Sequence, residues 1–351
     1  MTKWKYIWTR AVLTVAIVLL AGAYWGWQGY TAFADTPLSS RADQIIVKRG
    51  DRMTDLIQTL RQAGVTQGLP VAWMVLAYQT GAAGHLKAGE YALPPTMTAR
   101  ELLDHIRQGR VIQYRFTIVE GWTMRQLREA LNHASPLEHS LTALTDRAVL
   151  QAIDSNLAYL EGWFLPETYL YQRGMTDRDI LRRAHRAMQQ TLARVWATRA
   201  ANLPFDRPEH ALILASIVEK ETGLAAERRE IAGVFVRRLQ RGMRLQTDPT
   251  VIYGMGERYS GTLRKQDLET DSPYNTYTRS GLPPTPIAMP GVAALEAAVH
   301  PAPGDSLYFV AKGDGSGGHQ FSATLAAHNQ AVTHRIQHLQ KNRQNDASQT
   351  R

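Results

Sequence analysis

Ala211-Leu212-Ile213-Leu214-Ala215-Ser216-Ile217-Val218-Glu219-Lys220-Glu221-Thr222-Gly223 is the stretch around which the chain is organised. It is apolar almost without interruption until Glu219, and a helix that is apolar all round is a buried one. Start signals precede it: Asp206 as a cap, Pro208 early enough to be tolerated, and Glu209 three residues after the cap. Gly223 supplies a stop. The reading is a core helix carrying a carboxylate near its end. Burial raises a carboxyl pKa, by up to ~3–5 units when complete, which makes Glu219 a candidate general acid. Ser216, Ala215 and Leu212 lie three, four and seven residues back and share its face, and small residues there leave room for a ligand. Glu221, two positions on, points to nearly the opposite side, so one cleft should not receive both carboxylates. A plain alternative makes Glu219, Lys220 and Glu221 the solvated end of the helix, and periodicity alone does not separate the two.

The 351 residues allow one large domain or two modest ones beyond an anchor. The formal charge of +9 suits an anionic partner. No Lys/Arg block with interleaved aromatics stands out, so no nucleic-acid partner is expected. The chain has no cysteine, which excludes disulfides and thiolate chemistry. Lys3, Lys5 and Arg10 precede an uncharged run, Ala11 to Tyr30, with Trp4, Tyr6 and Trp8 at one end and Tyr24, Trp25, Trp27 and Tyr30 at the other. Roughly 20 apolar residues cross a bilayer, aromatic residues mark its boundaries, and the basic flank stays in the cytoplasm. Ala32-Phe33-Ala34 resembles a signal-peptidase site, but the apolar run is long for a signal peptide, and an uncleaved anchor is the preferred reading.

Residues 31–42, with Pro37, read as a linker. Gln44 to Lys48 reads as a strand, Met53, Leu56, Ile57 and Leu60 as a helix face, Val71 to Tyr78 as a second helix and Leu86 to Leu93 as a strand. Thr98 caps a helix stopped by Gly109, and Val111 to Val119 alternates as a strand. This order resembles a LysM-like module, which binds glycans containing N-acetylglucosamine. The spacing Gly50-x-x-Met53-x-x-Leu56-x-x-x-Leu60 recurs as Gly121-x-x-Met124-x-x-Leu127-x-x-x-Leu131. Helices then dominate. The phrase Glu161-Gly162-Trp163-Phe164-Leu165-Pro166-Glu167-Thr168-Tyr169 is too apolar to lie wholly in water and should line a groove or pack under one. Asp177 to Trp196 is an amphipathic helix with Ile180, Leu181, Ala184, Met188, Leu192 and Val195 inward. Ala225 to Arg241 is another, with Ile231, Val234, Phe235 and Leu239 inward and its arginines outside.

Leu245-Gln246-Thr247-Asp248-Pro249-Thr250, Ser272-Pro273-Tyr274-Asn275-Thr276-Tyr277 and Gly281-Leu282-Pro283-Pro284-Thr285-Pro286 read as functional loops. Their amide, carboxylate and tyrosine groups suit a sugar, with ordinary loop packing as the competing explanation. Leu295 to His300 reads as a short helix. Gly313-Asp314-Gly315-Ser316-Gly317-Gly318 formally matches a dinucleotide fingerprint, but nothing helical follows it, and a hairpin turn is the better reading. The last helix is expected from Ala323 to Gln340, and residues 341–351 as a polar tail. His334 and His338 share a helical face but lack the H-E-x-x-H pattern, so no metal site is expected. There is no G-x-S-x-G elbow and no P-loop.

Taken together, I-V-E-K-E-T-G, L-Q-T-D-P-T-V-I-Y-G, Y-N-T-Y, G-L-P-P-x-P-I, E-G-W-F-L-P-E-T-Y and the Gly-Gly-His-x-Phe strand, in this order, resemble the YceG-like endolytic murein transglycosylases. Trp163 replaces another aromatic common in that family, and Ala327 stands where some members carry Glu. The resemblance implies an α+β protein with an N-terminal transmembrane helix (1–30, including a cytoplasmic stub), a linker (31–42), a small LysM-like module (43–119) and a larger helix-rich mixed α/β catalytic domain (120–340). It implies a single-pass inner-membrane enzyme, its catalytic domain periplasmic. Such an enzyme cleaves the β-1,4 bond between N-acetylmuramic acid and N-acetylglucosamine within peptidoglycan strands and leaves 1,6-anhydro ends. No cofactor is expected, and peptidoglycan synthases are the implied protein partners. Glu219 is the implied catalytic residue, with Ser216, Glu167, Gln246, Asp248, Asn275 and Tyr277 as substrate-binding candidates. Two other readings stay open: a glycan hydrolase pairing Glu219 with a loop carboxylate such as Asp248, and a non-catalytic membrane tether that binds peptidoglycan.

Overall fold

The structure, a computed structural model, describes residues 2–349. It divides into two compact units. One runs up to Tyr114 and takes back Leu170–Met175, and the other comprises Arg115–Tyr169 and the chain from Thr176 on.

The first unit begins with α1 (Thr2–Asp35), which contains a candidate membrane span, Ile7–Asp35. The helix runs past the expected boundary at residue 30, because nothing between Thr31 and Asp35 breaks it before Pro37. Its end enters the core of the unit. Ala34 is fully buried, the Phe33 ring meets Trp73 edge-on at 5.0 Å, and Asp35 pairs with Arg100 at 2.7 Å. β1 (Gln44–Val47), α2 (Met53–Gln62), α3 (Pro70–Thr80) and β2 (Gly89–Ala92) follow in the expected order. β1 and β2 pair antiparallel, Gln44 opposite Ala92 and Val47 opposite Gly89. Met53, Leu56, Ile57 and Leu60 are buried, as their spacing requires. α4 (Ala99–Gln108) opens with the Thr98–Glu101 capping box and closes on Gly109 at φ 75°, a left-handed backbone that glycine adopts without steric cost.

β3 (Tyr114–Thr117) pairs with β4 (Thr168–Tyr171), and the division between the units falls within both strands. Segment 170–175 belongs to the first unit because of Glu90, whose side chain is fully buried. Glu90 accepts hydrogen bonds from the Tyr114 hydroxyl at 2.7 Å and from Arg173 at 2.9 Å. Burial alone would raise this carboxyl. The bonds from Arg173 and Tyr114, with the guanidinium charge, outweigh it and hold the pKa below the ordinary range.

The second unit contains α5 (Met124–Asn132), α6 (Asp146–Ile153), α7 (Asp177–Ala197), α8 (Pro208–Glu221), α9 (Arg228–Gln240), α10 (Asp248–Met255), α11 (Lys265–Glu269) and α12 (Val292–Val299). The hairpin β5 (Tyr308–Ala311) and β6 (His319–Ser322) and then α13 (Leu325–Gln349) complete it. α8 is the hub. Residues 211–218 are all buried, and α7, α9, α10 and α12 pack around them. The inward residues read from the α7 pattern are buried. The G-D-G-S-G-G stretch is the turn of an antiparallel hairpin, with Tyr308 opposite Ser322.

Five local expectations are corrected. The cap of α8 is Arg207, with no side-chain hydrogen bond, so Asp206 does not cap it. The helix ends at Thr222 in extended conformation rather than on Gly223. The stretch from Asp248 is helical, because Asp248-Pro249 places an acid and a proline in a first turn, where both favour a helix start. Arg238 lies inside α9's packed face, its guanidinium satisfied by the carbonyls of Leu307 at 2.6 Å and Leu245 at 2.7 Å. The tail beyond Gln340 continues α13, since residues 341–349 hold neither Pro nor Gly.

Removing the Glu90 carboxylate strands two donors. Glu90→Ala should lower the unfolding free energy by roughly 2–4 kcal/mol, measured by urea denaturation. Because the folded pKa is depressed, the wild-type advantage should be complete above the ordinary carboxylate range and vanish as pH falls through the folded value.

Candidate active site

The end of α8 places two carboxylates in different surroundings, as their two-residue spacing requires. The Glu219 side chain is 6% exposed. Its Oε2 accepts the Gly291 backbone N–H at 2.9 Å, and its Oε1 lies 3.5 Å from Arg228. Arg228 also lies 3.9 Å from Glu120. Burial raises the Glu219 carboxyl and the Glu120 charge adds to it, while the Gly291 amide, Arg228 and Lys220 pull it down. The net shift is upward. Of the two readings of the helix end, the buried one describes Glu219, while Lys220 is exposed.

Segment 286–291 is the strap that seals this face. The Ser216 hydroxyl donates to the Ile213 carbonyl at 2.7 Å and accepts the Ile287 N–H at 3.0 Å. Met289 N–H donates to the Trp122 carbonyl and Gly121 N–H to the Met289 carbonyl, at 2.7 and 2.9 Å. Lys220 Nζ donates to the Gly121 carbonyl at 3.2 Å. Ser216, Ala215 and Leu212 do share the Glu219 face, yet all three are fully buried. The room expected beside them is filled by the strap, and Ser216 reaches no open surface. Gly291 lets Glu120 approach closely: a Cβ there would stand 1.9 Å from Glu120 Oε1 and would push that side chain aside.

Glu221 faces the other way and accepts from the Thr247 hydroxyl. Burial pushes its carboxyl up to about 7. Thr247, Thr250 and Thr276 form a buried hydroxyl network: Thr250 donates to the Thr247 carbonyl at 2.8 Å and meets the Thr276 hydroxyl at 2.9 Å. This network brings Asp248 and Tyr277 together, the tyrosine hydroxyl donating to Asp248 at 2.6 Å. Gln246 is exposed beside them with φ 50°, a left-handed backbone rare outside glycine. Of the other two candidates, one lies beneath this cluster and one lies away from it. Asn275 is buried, its amide donating to the carbonyls of Leu268 and Thr270 at 3.0 and 2.7 Å and its oxygen accepting the Tyr277 N–H, so it braces the loop. Glu167 is exposed, and its carbonyl accepts the Ile118 N–H at 3.0 Å. No hydrogen bond or ion pair among the described residues joins Glu219 to Gln246, Asp248, Asn275, Tyr277 or Glu167.

Two further carboxylates lie outside the sequence-derived set. Glu120 flanks Glu219. Glu161 is buried and accepts the Met124 N–H at 2.9 Å and the Tyr253 hydroxyl at 3.0 Å. Burial raises its carboxyl to about 7 against those bonds. A signal for both existed: Glu-Gly-Trp occurs twice, at 120–122 and 161–163, with the glycine left-handed each time, φ 76° and 81°. A cavity of about 930 Å³, lined by Tyr159, Trp163, Phe205, Arg207 and His210, opens at the start of α8. Its Glu209 lies ~15 Å along the helix from Glu219 at 1.5 Å per residue, so this cavity is not the space that Glu219 faces. Among the described residues no three or more His, Asp or Glu converge as metal ligands.

A helix-borne, largely desolvated carboxylate between a cation and a backbone amide, on a helix-rich α+β fold, is suited to acid–base chemistry on one carboxyl group. The YceG-like family model matches residues 45–334, and this chain belongs to that family. An endolytic murein transglycosylase of Bacillus subtilis (strain 168) is 31% identical over 305 residues, covering 82% of this chain and 83% of that protein. An endolytic murein transglycosylase of Streptococcus pneumoniae serotype 2 is 28% identical over 335 residues, covering 85% of this chain. The chain spans 60% of that relative's length. A crystal structure of a YceG-like protein from Listeria monocytogenes matches with a TM-score of 0.50 and 28% identity, over 83% of this chain and 99% of that one.

Gly162 carries both a left-handed backbone and a neighbour 2.5 Å from any added Cβ, the Pro286 ring on the strap. Gly162→Ala should cost roughly 2–4 kcal/mol, read as a fall in melting temperature. Glu161 and Glu221 carry raised folded pKa values, so the folded state binds more protons between the ordinary carboxylate pKa and about 7. Stability from both should be complete below that window and decline as pH rises through about 7. Denaturation curves of Glu161→Gln and Glu221→Gln from pH 4 to 8.5 should be flatter than wild type.

Proposed function

We propose that this chain is an endolytic murein transglycosylase. It cleaves the β-1,4 bond between N-acetylmuramic acid and N-acetylglucosamine within glycan strands and forms 1,6-anhydromuramyl ends. The observation that carries the reading is Glu219: one buried carboxyl with a raised pKa, at the end of the core helix of a YceG-like chain. A lytic transglycosylase uses the C6 hydroxyl of the substrate as its nucleophile, so one carboxyl suffices. It first protonates the leaving oxygen and then removes the proton from that hydroxyl. The Gly291 amide and Arg228 stabilise the carboxylate between the two transfers. Asp248, Gln246 and Tyr277 form a polar rim on the Glu221 side of α8, offered to a sugar further along the strand, with Asn275 bracing its loop; Ser216 fastens the strap on the Glu219 face, and Glu167 lies on a separate edge.

The wider setting follows from the same reading. α1 is an uncleaved inner-membrane anchor with its basic end in the cytoplasm, and the rest of the chain is periplasmic. The β1-α2-α3-β2 order of the first unit supports a LysM-like module that holds the glycan. An anchor at the membrane suits cleavage of nascent strands beside peptidoglycan synthases.

Glu120 favours a second reading. It shares Arg228 with Glu219, and a glycan hydrolase needs a second carboxylate either ~5–5.5 or ~6.5–9.5 Å from the first. Asp248, whose side chain is held by Tyr277, is the weaker partner for that role. Mass spectrometry of products from uncrosslinked strands separates the two: internal cuts with anhydro ends support the transglycosylase, and reducing ends support the hydrolase. Glu219→Gln should reduce cleavage by about 10²–10⁴-fold, the usual worth of a general acid–base group. Under the transglycosylase reading Glu120→Gln stays active. Its alkaline limb in kcat/KM moves to lower pH, because loss of a neighbouring anion lowers the Glu219 pKa. Arg228→Met should move the limb to higher pH.

A further inference from the structure

The first unit exposes an apolar stripe that its own fold leaves uncovered. On α3, Trp73, Leu76 and Ala77 face the core and are almost fully buried. The other side is apolar too. Val71, Met74, Val75 and Tyr78 follow the i, i+3, i+4, i+7 spacing of one helical face, and with Leu69 just before the helix they are 37–75% exposed. A water-facing helix surface normally carries charge. Here Asp, Glu, Lys and Arg are all absent from Gln62 to Leu86, the longest such stretch in the chain. The next longest is Ala11 to Ala34, within α1.

These two charge-free segments adjoin. The Tyr30 hydroxyl donates to the Gln79 side chain at the end of α3. Phe33 packs on Trp73 and lies within 3 Å of where a Cβ would stand on Gly68, so only glycine lets the start of α3 approach so closely. Tyr30 ends the uncharged run Ala11–Tyr30, whose ~30 Å helical length matches the hydrocarbon thickness of a bilayer. Its contact with Gln79 brings the end of α3, including Tyr78, to the boundary of that span.

We infer that α3 lies in the lipid–water interface of the membrane that α1 crosses, with Val71, Val75 and Tyr78 against lipid and Trp73, Leu76 and Ala77 against the core of the unit. The inference rests on the reading of α1 as an uncleaved anchor. A tyrosine at such a boundary keeps its ring in the apolar layer and its hydroxyl in water. The first unit is then held by a spanning helix and an interfacial helix, which restricts its rotation about a single anchor and fixes which of its surfaces faces away from the lipid.

Because the chain has no cysteine, single nitroxide labels can be placed without background. The full chain is reconstituted in phosphatidylethanolamine–phosphatidylglycerol vesicles with a label at Val71→Cys, Val75→Cys or Tyr78→Cys. Val18→Cys in α1 and Asp51→Cys on the same unit serve as references. Collision rates with oxygen, which concentrates in lipid, are compared with those of a water-soluble nickel chelate. The expected result is an oxygen-to-nickel ratio at 75 and 78 several-fold above that at 51 and below that at 18. A ratio equal to that at 51, with 18 in lipid, overturns the inference and leaves the anchor standing. Shielding from both reagents marks a protein contact and overturns it as well. A water-like ratio at 18 overturns the anchor itself and the inference with it.

Discussion

The bond from the Gly291 amide to the Glu219 carboxylate holds the second unit's chemistry and architecture together. A carboxylate at the end of a buried helix is costly unless something supplies a hydrogen bond. The strap supplies it, and in doing so closes the helix face that Ser216 fastens one turn earlier through Ile287. The strap is in turn laced to residues 121–122 through Met289, which carries Glu120 to the same corner. One short segment therefore seals the core, sets the proton affinity of Glu219 and delivers its anionic neighbour.

Opposing influences act on that carboxyl, and the net shift is upward. Desolvation and Glu120 favour the neutral form. The amide, Arg228 and Lys220 favour the charged one. Movements of those neighbours shift the balance, which suits the proposed alternation between acid and base. Glu221 and Glu161 differ, since both are buried and bonded by hydroxyls or backbone rather than by cations. Their place is under the loops, where they brace the threonine network and the start of α5.

Much of the fold was legible in the sequence, because local patterns report local geometry. The three-four spacing of Met53, Leu56, Ile57 and Leu60, and of the α7 residues, is the period of a helix with one buried face, and those residues are buried. The hairpin at Gly313–Gly318 followed from what its flanks were not. Errors came where two readings share one signal. Asp248-Pro249 starts a loop as well as a helix, and an arginine in an amphipathic pattern gives no sign that carbonyls await it inside, as they await Arg238.

The sequence by itself determined the buried α8, the opposite facing of Glu219 and Glu221 at its end, and the uncharged run Ala11–Tyr30 within the N-terminal helix. Each follows from composition and helical period within one segment. Only the tertiary structure decided the rest. Arg228, Glu120 and Gly291 come to Glu219 from separate segments. Asp248 and Tyr277 gather on the Glu221 side instead. Segment 170–175 returns to the first unit through Arg173 and Glu90. The physical reason is the same in each case. Desolvation, ion pairing and the hydrogen bonds that offset them act between residues distant in sequence, and no periodicity along the chain records which distant backbone amide will face a given carboxylate.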